Sequence, residues 1–164
     1  MIQISLINAS IIVYKKAYFY RTAIHLRYKK ISMTNQSISS YQLACGAGLL
    51  AIAVATGAFG SHVLDNYVHR NLIPIWHTAV LYQLVHGAGL IGIAAAKNLI
   101  SERLKNLGFS ALFIGAVFFS GSLYLFVFSQ QRWLTLLTPI GGVLMVLGWV
   151  LITIGAIQQS RFKK

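Results

Sequence analysis

The chain has 164 residues, of which 57% are hydrophobic and 10% charged, against about 25% charged in an average soluble domain. Mean hydropathy is +0.68, and 14 Lys/Arg against two acids give a formal net charge of +12. That surplus would suggest nucleic acid in a soluble protein, but the charges fall in clumps. The runs 31–64, 71–96, 106–131 and 133–160 carry none. Each exceeds the about 20 apolar residues that cross a bilayer. The composition therefore predicts an all-α, integral membrane four-helix bundle whose partner is lipid and not nucleic acid. A β-barrel is disfavoured, because its strands would alternate polar and apolar residues over segments of about ten.

Residues 1–32 come first, with Lys15, Lys16, Arg21, Arg27, Lys29 and Lys30 and no acid. The apolar stretch 4–14 is too short to span, and it precedes the charge, the reverse of a secretory signal. On a helical wheel the cations spread around most of the circumference, so an amphipathic surface helix is poorly supported. This segment reads as a basic extension, dispensable for a transmembrane domain over 33–164.

Four spanning helices follow, at about 41–64, 74–96, 107–128 and 139–157. Pro74 and Pro139 suit first helical turns, where the missing N–H has no partner, and Thr138 is placed to cap the last helix. Cytoplasmic loops of membrane proteins collect Lys and Arg. Here Arg70 and Arg132 occupy the first and third connections, while Lys97, Arg103 and Lys105 occupy the second and Arg161, Lys163 and Lys164 the tail. This asymmetry predicts cytoplasmic termini in a multi-pass protein of the cell (inner) membrane. Cys45 is the single cysteine, so no disulfide framework is implied.

Helices in lipid associate through close backbone approach at small residues. Ala53, Gly57 and Ser61 repeat at four-residue spacing, as do Ala88, Gly92 and Ala96, and Ala111 and Gly115. Gly141, Gly148 and Gly155 fall seven apart. With Gly60, Gly121 and Gly142, these glycines are predicted at helix crossings.

Depth follows from a rise of 1.5 Å per residue. His62 ends the first helix near the outer face and Trp76 and His77 begin the second there. Tyr82 and Gln83 lie deeper, and His86 is roughly 18 Å in, close to the midplane. Ser120, Ser122 and Tyr124 fall in the outer half of the third helix, and Thr138 opens the fourth. His62, Trp76, Tyr82, Gln83, His86, Ser122, Tyr124 and Thr138 thus form a candidate polar pocket. An ionisable group at membrane depth is a functional hypothesis by default. A neutral His86 could equally satisfy itself on Ser120, Ser122 or a backbone carbonyl of a neighbouring helix.

The pieces GAFGSH (57–62), WHTAVLYQLVH (76–86), GSLY (121–124) and TPIGG (138–142), followed by Gly148 and Trp149, resemble the domain-of-unknown-function 423 family of small bacterial inner-membrane proteins. The resemblance covers about 41–157. It implies a four-helix membrane protein of about the length counted from Met33, and it supplies no mechanism.

His62, Asp65 and His69 could share a face if the first helix ran through them, but end capping explains them more simply than a metal. His62 and His86 differ too much in depth for a shared haem. No metal or cofactor is implied, and no catalytic residue. The two acids, Asp65 and Glu102, lie in loops on opposite sides, so no paired carboxylate exists. The sequence points first to a non-enzymatic accessory or assembly protein, compatible with a homo-oligomer or a membrane-protein partner. The alternative is a transporter or channel for a small solute or proton around His86, against which stands the lack of any charged residue in a span.

Overall fold

The computed structural model describes residues 2–96 and 98–161; Lys97, Lys163 and Lys164, assigned above to the cytoplasmic side, lie outside the described residues. The elements are α1 (Ile2–His62), 3-10 turns at Leu64–Asn66 and Arg70–Leu72, α2 (Ile73–Ala95), α3 (Glu102–Ser129), a 3-10 turn at Arg132–Leu136 and α4 (Leu137–Arg161). No strand occurs among the described residues. The chain divides into two compact units at residues 38 and 39. The first is helical where described, and its side chains from Tyr18 to Arg27 are exposed.

The second unit holds four helices long and apolar enough to cross a membrane, at Ser40–His62, Arg70–Ala95, Glu102–Ser129 and Arg132–Arg161. Many of their large apolar side chains are exposed, among them Ile52, Val54, Val85, Leu125, Val146 and Val150. In water such a surface would aggregate; against acyl chains it is the solvated face.

Local chemistry sets the helix ends. Pro74 sits in the first turn of α2. α3 opens at Glu102, earlier than the predicted Leu107, because Glu102 pairs with Lys105 one turn on at 3.0 Å and a carboxylate suits a helix N-terminus. It closes on Gln130 in the left-handed region (φ 54°), whose amide donates to Phe126 O at 2.8 Å. The predicted cap at Thr138 is corrected: the Arg132–Leu136 turn runs directly into α4, so Thr138 lies inside the first turn and its hydroxyl is used elsewhere.

Two antiparallel seams bring backbones into close approach. Between α3 and α4, a Cβ at Gly115 would lie 2.8 Å from Gly141 O, one at Gly141 only 2.5 Å from Phe119 N, and one at Gly148 would lie 3.0 Å from Gly108 O. One helical register thus sets Gly108 against Gly148 and Gly115 against Gly141, and Ser101 N donates to Gly155 O where the seam ends. Between α1 and α2, Gly46 meets Gly87, each Cβ position lying 3.2–3.3 Å from the other's carbonyl oxygen. Three expected crossings are corrected: a Cβ at Gly92 or Gly121 would meet nothing within 4 Å, and one at Gly142 only the Phe119 ring at 4.0 Å. Those positions face outward from the seams, so their small size is not demanded by packing in this chain.

The buried core has two parts. Leu49, Leu90, Ile93, Ile100, Phe109, Leu112, Ala116, Met145 and Ile152 fill the half nearer the α2–α3 connection. Leu64, Leu72, Trp76, Val80 and Val127 close the end where α1 passes to α2.

Candidate interhelical polar network

Three polar side chains of the bundle, Trp76, Gln83 and Ser120, bond to backbone carbonyls of neighbouring helices. Trp76, in the first turns of α2, donates from Nε1 to Thr56 O of α1 at 2.9 Å. Seven residues on, Gln83 donates from Nε2 to Leu49 O at 3.0 Å. Thr56 and Leu49 are also seven apart, so two turns of α2 are fastened to two turns of the antiparallel α1. The indole can lie this close because residue 60 is glycine: a Cβ there would fall 2.6 Å from Trp76 Nε1.

α3 joins through Tyr124. Its hydroxyl donates to Gln83 Oε1 at 2.9 Å and lies 3.1 Å from Thr56 Oγ1, and its ring centroid is 4.5 Å from that of Trp76. Gln83 is 4% exposed and both ends of its amide are bonded. Ser120, also on α3, donates to Ala79 O of α2 at 2.9 Å. α4 is tied on by Ser122, which donates to Phe119 O of its own helix and shares a 2.8 Å contact with Thr138 Oγ1.

His86 sits apart from these groups. Its Nδ1 lies 2.8 Å from Tyr82 O, one turn back on the same helix. This corrects the expectation of a partner on Ser120, Ser122 or another helix: both serines are spent elsewhere, and the i−4 carbonyl is within reach of the imidazole. Beside the ring stand Tyr82, nearly parallel at 6.0 Å, and Trp149 of α4, tilted at 6.2 Å.

The eight residues of the expected pocket therefore fall into separate groups. Trp76, Gln83 and Tyr124 come together around Thr56; Ser122 meets Thr138; Tyr82 and His86 stack; His62 is exposed at the end of α1. The continuous helix that would align His62, Asp65 and His69 does not form, since α1 stops at His62. A further polar cluster went unforeseen at the other end of the bundle. Gln42 Nε2 donates to Asn106 Oδ1 at 2.9 Å, and Lys105, 4% exposed, pairs with Glu102. Lys105 appeared in the sequence only as one cation of a loop.

Comparison with known proteins places this arrangement. A family model described as "Protein of unknown function (DUF423)" matches residues 56–142, which hold Thr56, Trp76, Gln83, Tyr124, Ser122 and Thr138. A UPF0382 membrane protein of Staphylococcus saprophyticus is 42% identical over 113 residues, 69% of this chain and 93% of the relative. The UPF0382 membrane protein YwdK of Bacillus subtilis is 34% identical over 118 residues, 69% and 93% of the two chains. The UPF0382 inner membrane protein YgdD of Escherichia coli is 38% identical over 114 residues, 67% and 84%. No solved structure matches. The chain is a multi-pass protein of the cell membrane and belongs to the DUF423 family.

Proposed function

We propose that this protein is a non-enzymatic accessory or assembly factor of the cell membrane, with both termini and the α2–α3 connection in the cytoplasm. The observation that carries the reading is the closure of the polar network. Gln83, Tyr124, Trp76 and Ser120 direct their hydrogen bonds at one another and at backbone carbonyls of adjacent helices, and Thr56 meets Tyr124 while bonding to carbonyls of its own helix. Groups used in this way hold helices together in lipid, where each interhelical bond contributes about 0.6 kcal/mol on average. A solute pathway needs polar groups free to exchange partners. The acids give no support to a proton-coupled or hydrolytic site either: Asp65 is exposed in a turn, and Glu102 pairs with Lys105 at the opposite end of the bundle. The exposed apolar surface contacts lipid, and a protein partner or second copy would dock within the same membrane.

The test is reconstitution of the full chain into liposomes, followed by ion and metabolite profiling against protein-free vesicles. The accessory reading requires equal uptake in both. Uptake above the protein-free level that His86→Ala abolishes would establish the transporter instead.

A further inference from the structure

We propose that His86, Tyr82 and Trp149 form a binding site for a phenol or hydroquinone dissolved in the bilayer, held by an O–H···Nε2 hydrogen bond to His86. The proposal goes beyond the accessory role and does not depend on it.

The imidazole supplies the first part of the argument. A backbone carbonyl can only accept, so the 2.8 Å contact between His86 Nδ1 and Tyr82 O fixes the proton on Nδ1. In the neutral ring Nε2 then carries a lone pair. No partner for it occurs among the described residues. His86 as a residue is 8% exposed, and its unpaired Nε2 keeps some accessible surface, so the lone pair can be reached from outside the bundle. An acceptor without a donor inside hydrocarbon is a standing cost.

The neighbouring rings define what could reach that lone pair. Tyr82 is 40% and Trp149 38% exposed, so two aromatic rings flank the histidine and face the lipid. Both are held. Phe119 of α3 stacks on Tyr82 at 4.4 Å, and the Trp149 indole lies against α2 because residue 89 is glycine, where a Cβ would fall 2.8 Å from Trp149 Cη2. Water is poorly suited to such a place, having one acceptor to bond and aromatic surface elsewhere. A flat aromatic ring can stack on the exposed Tyr82 or Trp149 ring, and a hydroxyl on it supplies the missing donor. His86 lies more than two helical turns from either end of the Arg70–Ala95 span, so the ligand must arrive through the hydrocarbon. These conditions together describe a lipid-soluble phenol or hydroquinone head group.

The experiment uses the full chain in detergent micelles with 15N-labelled histidine, titrated with decylhydroquinone and, separately, with its dimethyl ether. The His86 resonances are assigned by their loss in His86→Gln. Decylhydroquinone is expected to shift the His86 Nε2 resonance saturably, with half-saturation about tenfold lower than for the ether, the factor one buried hydrogen bond supplies. Gly89→Ala, which displaces Trp149, should weaken the hydroquinone by a similar factor. Equal half-saturation for hydroquinone and ether would overturn the proposal, as would a His86 Nε2 resonance that does not move. The comparison of the two probes on the unaltered chain stands even if a variant fails to fold.

Discussion

Tyr124 of α3 donates its phenolic proton to Gln83 Oε1 of α2 at 2.9 Å, while the other end of the same amide reaches Leu49 O of α1 at 3.0 Å. One glutamine therefore joins three helices. Tyr124→Phe leaves Gln83 Oε1 unpaired in a buried site, and is expected to lower the unfolding free energy by about 0.6–1.7 kcal/mol, the range for such bonds in membrane proteins. In a Gln83→Leu background the same change should cost less, because the acceptor is already gone. A double-mutant cycle in mixed micelles measures the difference.

The glycine seams give a second, graded expectation. Gly141→Ala puts a Cβ 2.5 Å from the backbone nitrogen of Phe119, and backbone cannot rotate aside. A loss of about 1–3 kcal/mol is expected, as for overpacking elsewhere. Gly57→Leu should also destabilise, since its Cβ would already stand 3.3 Å from Val80 Cγ1. Gly121→Ala meets open space and should leave stability unchanged or slightly raised. Thermal unfolding of the three variants in one detergent provides the ranking.

How far the sequence reached can be judged from particular residues. Four spans were legible because length and apolar composition decide whether a helix can cross. The seven-residue spacing of Gly141, Gly148 and Gly155 marked one face of α4 correctly, but its counterpart Gly108 was missed: spacing within one helix carries no information on the register between two. The polar residues were legible as types and not as pairs. Trp76 and Gln83 spend their donors on the carbonyls of Thr56 and Leu49, and a backbone carbonyl has no sequence signature. Trp149 reaches His86 only through the contact of α4 with Gly89, again a matter of register.

The charge asymmetry predicts cytoplasmic termini, which is open to direct measurement. A reporter fused after residue 164 should be active only in its cytoplasmic form, and one inserted near Arg70 only in its external form. The reverse pattern would invert the bundle and move the Lys105–Glu102 pair to the outer face.

The basic segment before Met33 is expected to be dispensable for insertion, since it offers no stretch long enough to span. A chain beginning at Met33 should reach the membrane and unfold at the same temperature as the full chain in detergent. Failure to insert would assign the six cations a role in membrane targeting or lipid binding.

The reading that the interior polar groups bind helices to one another is tested most directly at Ser120, which is 2% exposed and bonded to Ala79 O. In a Cys45→Ala background, single cysteines at positions 120 and 62 are exposed to a membrane-impermeant maleimide, in sealed vesicles of both orientations. The closed network requires that Ser120→Cys stay unlabelled from either side, while His62→Cys, at the exposed end of α1, reacts readily. Labelling of position 120 at a rate comparable to position 62 would reveal a water-filled path through the bundle and contradict the structural role assigned to these residues.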